Sequence, residues 1–135
     1  MSRDQIFAIV ATIAVLTGLA LGFRELGPPR VQRAENADLA RGRDLETISR
    51  AIDFFYRLNH RLPGTLDEVK KTNPGLQLND PETRALYAYR PQGDTQYQLC
   101  ANFAGDNRTD PAPPGTMAHP AGTYCTSYVV NKPLY

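Results

Sequence analysis

The chain has 135 residues, room for one domain, and its 15 Lys+Arg against 14 Asp+Glu leave a formal net charge of +1. No bulk field of either sign exists to attract nucleic acid or an acidic polymer, so nucleic-acid binding is not expected. Eleven Pro and ten Gly, concentrated after Leu26 and between Arg61 and Gly122, predict a second half rich in turns and poor in long regular elements.

The first element is apolar. From Ile6 to Phe23 the run IFAIVATIAVLTGLALGF holds 18 residues without a charge, and as a helix it reaches about 27 Å, enough to cross a bilayer core. Arg3 and Asp4 mark one end, and Arg24 and Glu25 the other. The side chains of Ile6, Phe7, Ile9, Val10, Ile13, Val15, Leu16, Leu19, Leu21 and Phe23 are the expected lipid-facing anchor. The rival reading is a cleaved signal peptide, since Ala20-Leu21-Gly22 offers small residues to a signal peptidase. Residues 1–26 are taken as a retained anchor and residues 27–135 as the domain it carries, which leaves roughly 110 residues for a core. The positive-inside rule does not orient the anchor: Arg3 competes with Arg24, Arg30 and Arg33, and the count leans toward a cytoplasmic domain.

Gly27-Pro28-Pro29 predicts a hinge or kink just outside the membrane, with Pro suited to the first turn of a new helix. Between Arg30 and Leu58, Val31, Ala34, Ala37, Leu45, Ile48, Ala51, Ile52, Phe55 and Leu58 recur at three- and four-residue steps, the pattern of an amphipathic helix. Arg33, Glu35, Arg41, Arg43, Glu46 and Arg50 fall on the polar side, which reads as a solvated face. Its functional alternative is a contact with anionic lipid or a partner through Arg30, Arg33, Arg41 and Arg43. Pro63-Gly64 is the expected helix stop. Thr65, with Glu68 three residues on, reads as a capping box for a short helix through Val69, ended by Pro74-Gly75.

After Asp80-Pro81 three β-prone runs follow: residues 86–90 (LYAYR), 95–103 (TQYQLCANF) and 123–130 (TYCTSYVV), with a turn at Pro91-Gln92-Gly93-Asp94. An α+β domain is expected, its long helix laid across a three-stranded antiparallel sheet. The composition of residues 104–122 forbids a regular element. The only two cysteines, Cys100 and Cys125, suit one disulfide in an oxidising compartment, with two buried thiols or a metal pair as alternatives. The bridge puts the domain outside the cytoplasm, in the periplasm or beyond the cell, on a single-pass inner-membrane anchor.

Taken in order, RDLETISRAIDFFYRLNHRLPGTLDEV (43–69), DPETRALYAYR (80–90), YQLCANF (97–103) and HPAGTYC (119–125) resemble the type IV pilin-like proteins, in the pseudopilin-like branch related to type II secretion. The resemblance spans about residues 30–130. Members of that family end a helix in an Asn-x-x-x-Pro-x-(Ser/Thr)-Leu run, matched by Asn59, Pro63, Thr65 and Leu66, and enter the first strand by an Asp-Pro turn, matched by Asp80-Pro81. Pilins also carry a processing glycine and a glutamate at the fifth mature position. In MSRDQIFAIV neither stands, and Asp4 is the only carboxylate before the apolar run. The resemblance therefore implies a pilin-like domain on a plain anchor, with other envelope or pilin-like proteins, or a second copy, as partners. Some secretion pseudopilins hold calcium in a loop between strands; the corresponding weak candidates are Asp106, Asn107 and Asp110, though the spacing is not that of an EF-hand.

No cofactor or enzymatic chemistry is expected. His60 and His119 lie in different loops without a triad partner and read as surface histidines. No phosphate loop, Cys-x-x-Cys pair, His-Glu-x-x-His run or internal repeat stands in the sequence. The expected role is protein–protein contact in a cell-envelope or secretion-type assembly. The alternative is a secreted or anchored binding module for a small ligand, ion or polymer, using the 104–122 loop and a stripe of Tyr87, Tyr89, Tyr97, Tyr124 and Tyr128.

Overall fold

The computed structural model describes residues 2–25, 29–108 and 116–130. It divides into two compact units, Met1–Arg33 and Ala34–Tyr135. Gly27 and Pro28, where a hinge was expected, lie outside the described residues.

In the first unit, helix α1 runs Arg3–Glu25, and Arg3–Phe23 is long and apolar enough to cross a membrane, with none of it buried in the protein. Its N-terminus is closed by a reciprocal cap. The Gln5 backbone N–H donates to Ser2 Oγ at 3.4 Å and the Ser2 N–H to Gln5 Oε1 at 3.0 Å, a capping box that Ser-x-x-Gln announces in the sequence. The two hydroxyls inside the apolar run are satisfied within the helix: Thr12 Oγ1 donates to Ala8 O and Thr17 Oγ1 to Ile13 O, both at 2.8 Å. Neither leaves an unpaired polar group facing outward, a condition for a segment immersed in hydrocarbon.

Helix α2 runs Pro29–Asn59, with Pro29 in the first turn as expected. It stops before Pro63-Gly64. Asn59 Nδ2 donates to Phe55 O at 2.9 Å, and the His60 N–H to Tyr56 O at 2.7 Å, with His60 in the left-handed region at φ 53°. His60 thus occupies the helix-ending position usually given to Gly. Pro63 is instead buried in the core. Helix α3, Leu66–Thr72, begins at Thr65, but the Thr65 side chain makes no cap bond. Glu68 Oε2 accepts from Arg61 Nη2 at 2.9 Å, so the expected capping box is replaced by an ion pair across the loop.

Three strands, β1 (Ala88–Pro91), β2 (Gln96–Phe103) and β3 (Gly122–Val129), form an antiparallel sheet in the order β1-β2-β3. The first strand starts two residues later than expected because Leu86 and Tyr87 bond elsewhere: Leu86 bridges Asn79, and the Tyr87 N–H donates to Leu78 O at 2.9 Å. Gly93, at φ 106°, turns the chain between β1 and β2. Alternation on β2 sends Tyr97, Leu99, Ala101 and Phe103 to one face, where they meet Leu45, Ile48, Ala51 and Ile52 of α2 and Leu66 and Val69 of α3. Tyr97 also donates its hydroxyl to Ser49 O of α2 at 3.4 Å. One helix packed on one sheet face is the two-layer arrangement that this pattern demands. Three members of the predicted apolar stripe are not core: Val31 and Leu58 are exposed and Ala34 is half-buried, and Phe54 is exposed as well.

Cys100 and Cys125 form the disulfide. They are direct cross-strand partners in the β2–β3 register, with Cα atoms 4.0 Å apart.

Candidate functional site

The sequence places Arg41 on a solvated helix face, and the structure buries it at 3% exposure. Its position explains why: Arg41 follows Ala37 by four residues and precedes Leu45 by four, so it lies on the apolar stripe itself. Within that stripe its guanidinium needs partners, and three carboxylates supply them. Nε donates to Asp80 Oδ2 at 2.5 Å and Nη2 to Asp80 Oδ1 at 3.1 Å, a bidentate pair. Nη1 donates to Asp38 Oδ1 at 2.7 Å, and Nη2 also to Glu82 Oε2 at 2.8 Å. The four-arginine contact set is therefore corrected to exposed Arg30, Arg33 and Arg43, with Arg41 withdrawn into the fold.

Each carboxylate is tied to backbone in turn. Asp80 Oδ1 accepts from the N–H groups of Glu82 (2.9 Å) and Thr83 (2.8 Å), the turn chemistry expected of Asp-Pro. Asp38 Oδ2 accepts from Gly105 N at 2.9 Å, and its carboxylate also receives Ala104 N. The cluster thus pins α2, the segment before β1 and the exit of β2 at one point. The Arg41 hydrogen bond, helped by the two backbone donors and opposed by burial, holds the Asp80 carboxyl well below the usual carboxylate range. The Asp80 hydrogen bond likewise raises the Arg41 pKa. Nearby, Tyr87 donates its hydroxyl to Asp44 Oδ2 at 2.8 Å; burial pushes both groups upward, against that hydrogen bond in the case of Asp44. The arrangement holds three elements together, with four of the five guanidinium N–H groups of Arg41 bonded to carboxylates.

The tyrosine stripe faces inward. Tyr87 and Tyr97 are buried, and Tyr89, Tyr124 and Tyr128 pack against the core. Tyr97 and Tyr128 stack at 5.5 Å between centroids, and Tyr89 donates its hydroxyl to Pro63 O at 2.9 Å. Burial, with the nearby Glu68 charge, pushes the Tyr89 hydroxyl up to about 12.

The loop carboxylates are engaged locally. Asp106 accepts from the Arg108 side chain at 2.5–3.2 Å and from its N–H at 3.0 Å, which pulls its pKa down to about 2. Asn107 Nδ2 donates to Met117 O at 3.0 Å, and its Oδ1 accepts from His119 N at 2.6 Å. Asp110 lies outside the described residues. Among the described residues no group of three or more His, Cys, Asp or Glu is placed to hold a metal ion. His60 is exposed as expected, but His119 is not a surface residue. At 4% exposure it stacks on Phe103 of the core with centroids 3.7 Å apart. Nothing local in the sequence signals that contact.

The exposed large apolar side chains, candidate contact points among the described residues, are the ten anchor side chains of α1, Val31, Phe54 and Leu58 of α2, Leu86 before β1, and Val129 at the end of β3. No protein-family model, curated protein or solved structure matches this chain.

Proposed function

We propose that the chain is a non-enzymatic, pilin-like contact protein of the bacterial cell envelope, held by α1 as a single-pass anchor in the inner membrane with its disulfide-closed domain on the periplasmic or outer side. The observation that carries the reading is the exposed apolar helix α1, none of it covered by the protein and its two internal hydroxyls satisfied by its own backbone. Such a surface is unfavourable in water and suited to lipid or to a packed neighbour. The disulfide supports an oxidising side for the domain, and a helix laid on a three-stranded antiparallel sheet agrees with the pilin-like resemblance of residues 30–130. Partners in this reading are lipid and other envelope or pilin-like proteins, with calcium and other cofactors playing no part. The rival binding module loses its tyrosine face, since those rings pack inward.

Intact mass of the native protein, taken from membrane and soluble fractions with and without reductant, tests the reading. The expected species is full length, in the membrane, and lighter by the two bridge hydrogens until reduced. A soluble species shortened near Gly22 overturns it, as does a membrane-bound chain whose cysteines are both free.

A further inference from the structure

The two edges of the sheet are built differently. At one edge β1 spans only Ala88–Pro91 and carries Arg90 and Pro91, the short length, charge and proline that protect an edge from pairing with another strand. At the other edge β3 runs eight residues, GTYCTSYV, with no charge and no proline. It is paired one-to-one with β2 from Gln96↔Val129 to Phe103↔Gly122, so no bulge twists it away.

The direction of its backbone groups follows from the ladder. The Val130 N–H donates to Thr95 O at 2.9 Å, which makes residues 95 and 130 a hydrogen-bonded pair of the same register. Counting back by twos, residues 128, 126, 124 and 122 bond to β2, and Thr123, Cys125, Ser127 and Val129 present their N–H and C=O groups outward. The 4.0 Å Cα separation of Cys100 and Cys125 agrees, being that of a narrow, non-hydrogen-bonded pair. Among the described residues no backbone–backbone hydrogen bond reaches this outer side. Met117 lies beside the strand on its helix-facing side, accepting a hydrogen bond from Thr126 Oγ1 at 3.2 Å, and takes none of the main-chain groups.

The strand is also a chemical palindrome. About Thr126 it reads outward as small (Cys125, Ser127), aromatic (Tyr124, Tyr128) and β-branched (Thr123, Val129). We propose that the occupant of this edge is β3 of a second copy, added antiparallel about a two-fold axis through Thr126, which joins two three-stranded sheets into one. That register matches all four outward residues to their counterparts, Cys125 to Ser127 and Thr123 to Val129 of the second copy, and sets Tyr124 across from Tyr128. Cross-strand aromatic and β-branched pairs are favourable ones, and an uncharged strand meets no repulsion from itself. A closed two-fold pairing also uses up the edge and leaves none to propagate. The proposal deepens the contact reading by naming a partner and rests on that reading for its use, but the test reads positions on β3 and can fail independently of where the anchor sits.

The full-length chain in detergent micelles tests it. Thr123→Cys and Val129→Cys proteins, mixed and treated with a short thiol-bridging reagent, are expected to give a bridged dimer. Either variant alone gives none, because like positions stand about 20 Å apart across the axis. Ser127→Pro removes one outward N–H on each copy and no main-chain bond to β2, giving up only the exposed side-chain bond from Gln98 Nε2 to Ser127 Oγ, so it keeps the fold and the native disulfide while weakening self-association roughly 30-fold, read by sedimentation velocity against Ser127→Ala, which loses the same side-chain bond and keeps the N–H. A native chain that stays monomeric and unbridged overturns the proposal and leaves the edge to a strand of another protein. Equal bridging in a single variant, or an unchanged Ser127→Pro dimer, also overturns it.

Discussion

Arg41 shows how one residue can carry the cohesion of a small domain. A guanidinium on an apolar helix stripe, bonded to Asp38, Asp80 and Glu82, cannot be removed without stranding buried negative charge. Arg41→Ala is expected to cost about 3–5 kcal/mol of stability, measured by urea unfolding in detergent; a loss below about 1 kcal/mol would mean that water reaches the carboxylates. The acid side has its own signature. The folded-state pKa of Asp80 lies below its ordinary 3.8, so its contribution is full above that ordinary value and is lost as pH falls from there through the lower folded-state pKa. The stability gap between wild type and Asp80→Asn, full at pH 6, should therefore narrow below about pH 4, and a gap constant down to pH 2 would contradict the pairing. The burial of Arg41 was legible in the four-residue spacing from Ala37 and to Leu45, had spacing been weighed above residue type. That of His119 was not, because His119 stands in the segment before β3 while its partner Phe103 ends β2.

At the scale of elements, an unbroken apolar run gave away α1, and hydrophobic period gave away α2 and the three strands, since a run, a stripe or an alternation is visible in one dimension. Their ends were less legible. The helix stop depends on His60 adopting a left-handed conformation, which residue preference assigns to Gly, and the start of β1 depends on Leu78 and Asn79, which capture Tyr87 and Leu86. The disulfide could be guessed from two cysteines on β-prone runs, but not its placement as a direct β2–β3 pair. Closing a segment of 25 residues, it should contribute about 3 kcal/mol. Cys100→Ser with Cys125→Ser is expected to lower the denaturation midpoint by the corresponding amount, and an unchanged midpoint would show that the ladder alone fixes β3.

For the whole molecule, the sequence set an apolar helix apart from the rest of the chain, while the compact units divide at Arg33–Ala34, inside α2, and the candidate contact edge was invisible. An edge exists only once strand order is known, and β3 reads like any half-buried strand until β2 is seen on one side alone. The same strand order sets a sequence of assembly. β1 and β2 meet across residues 92–95, a local closure, whereas β3 must return to β2 from beyond residues 104–121, a slower search through a longer loop. Because Cys125 rides on the late strand and Cys100 on the early one, oxidation of the pair serves as a clock for the arrival of β3. A chain caught with both thiols reduced is one whose uncharged strand has yet to find its partner, the species most exposed to mispairing during biogenesis.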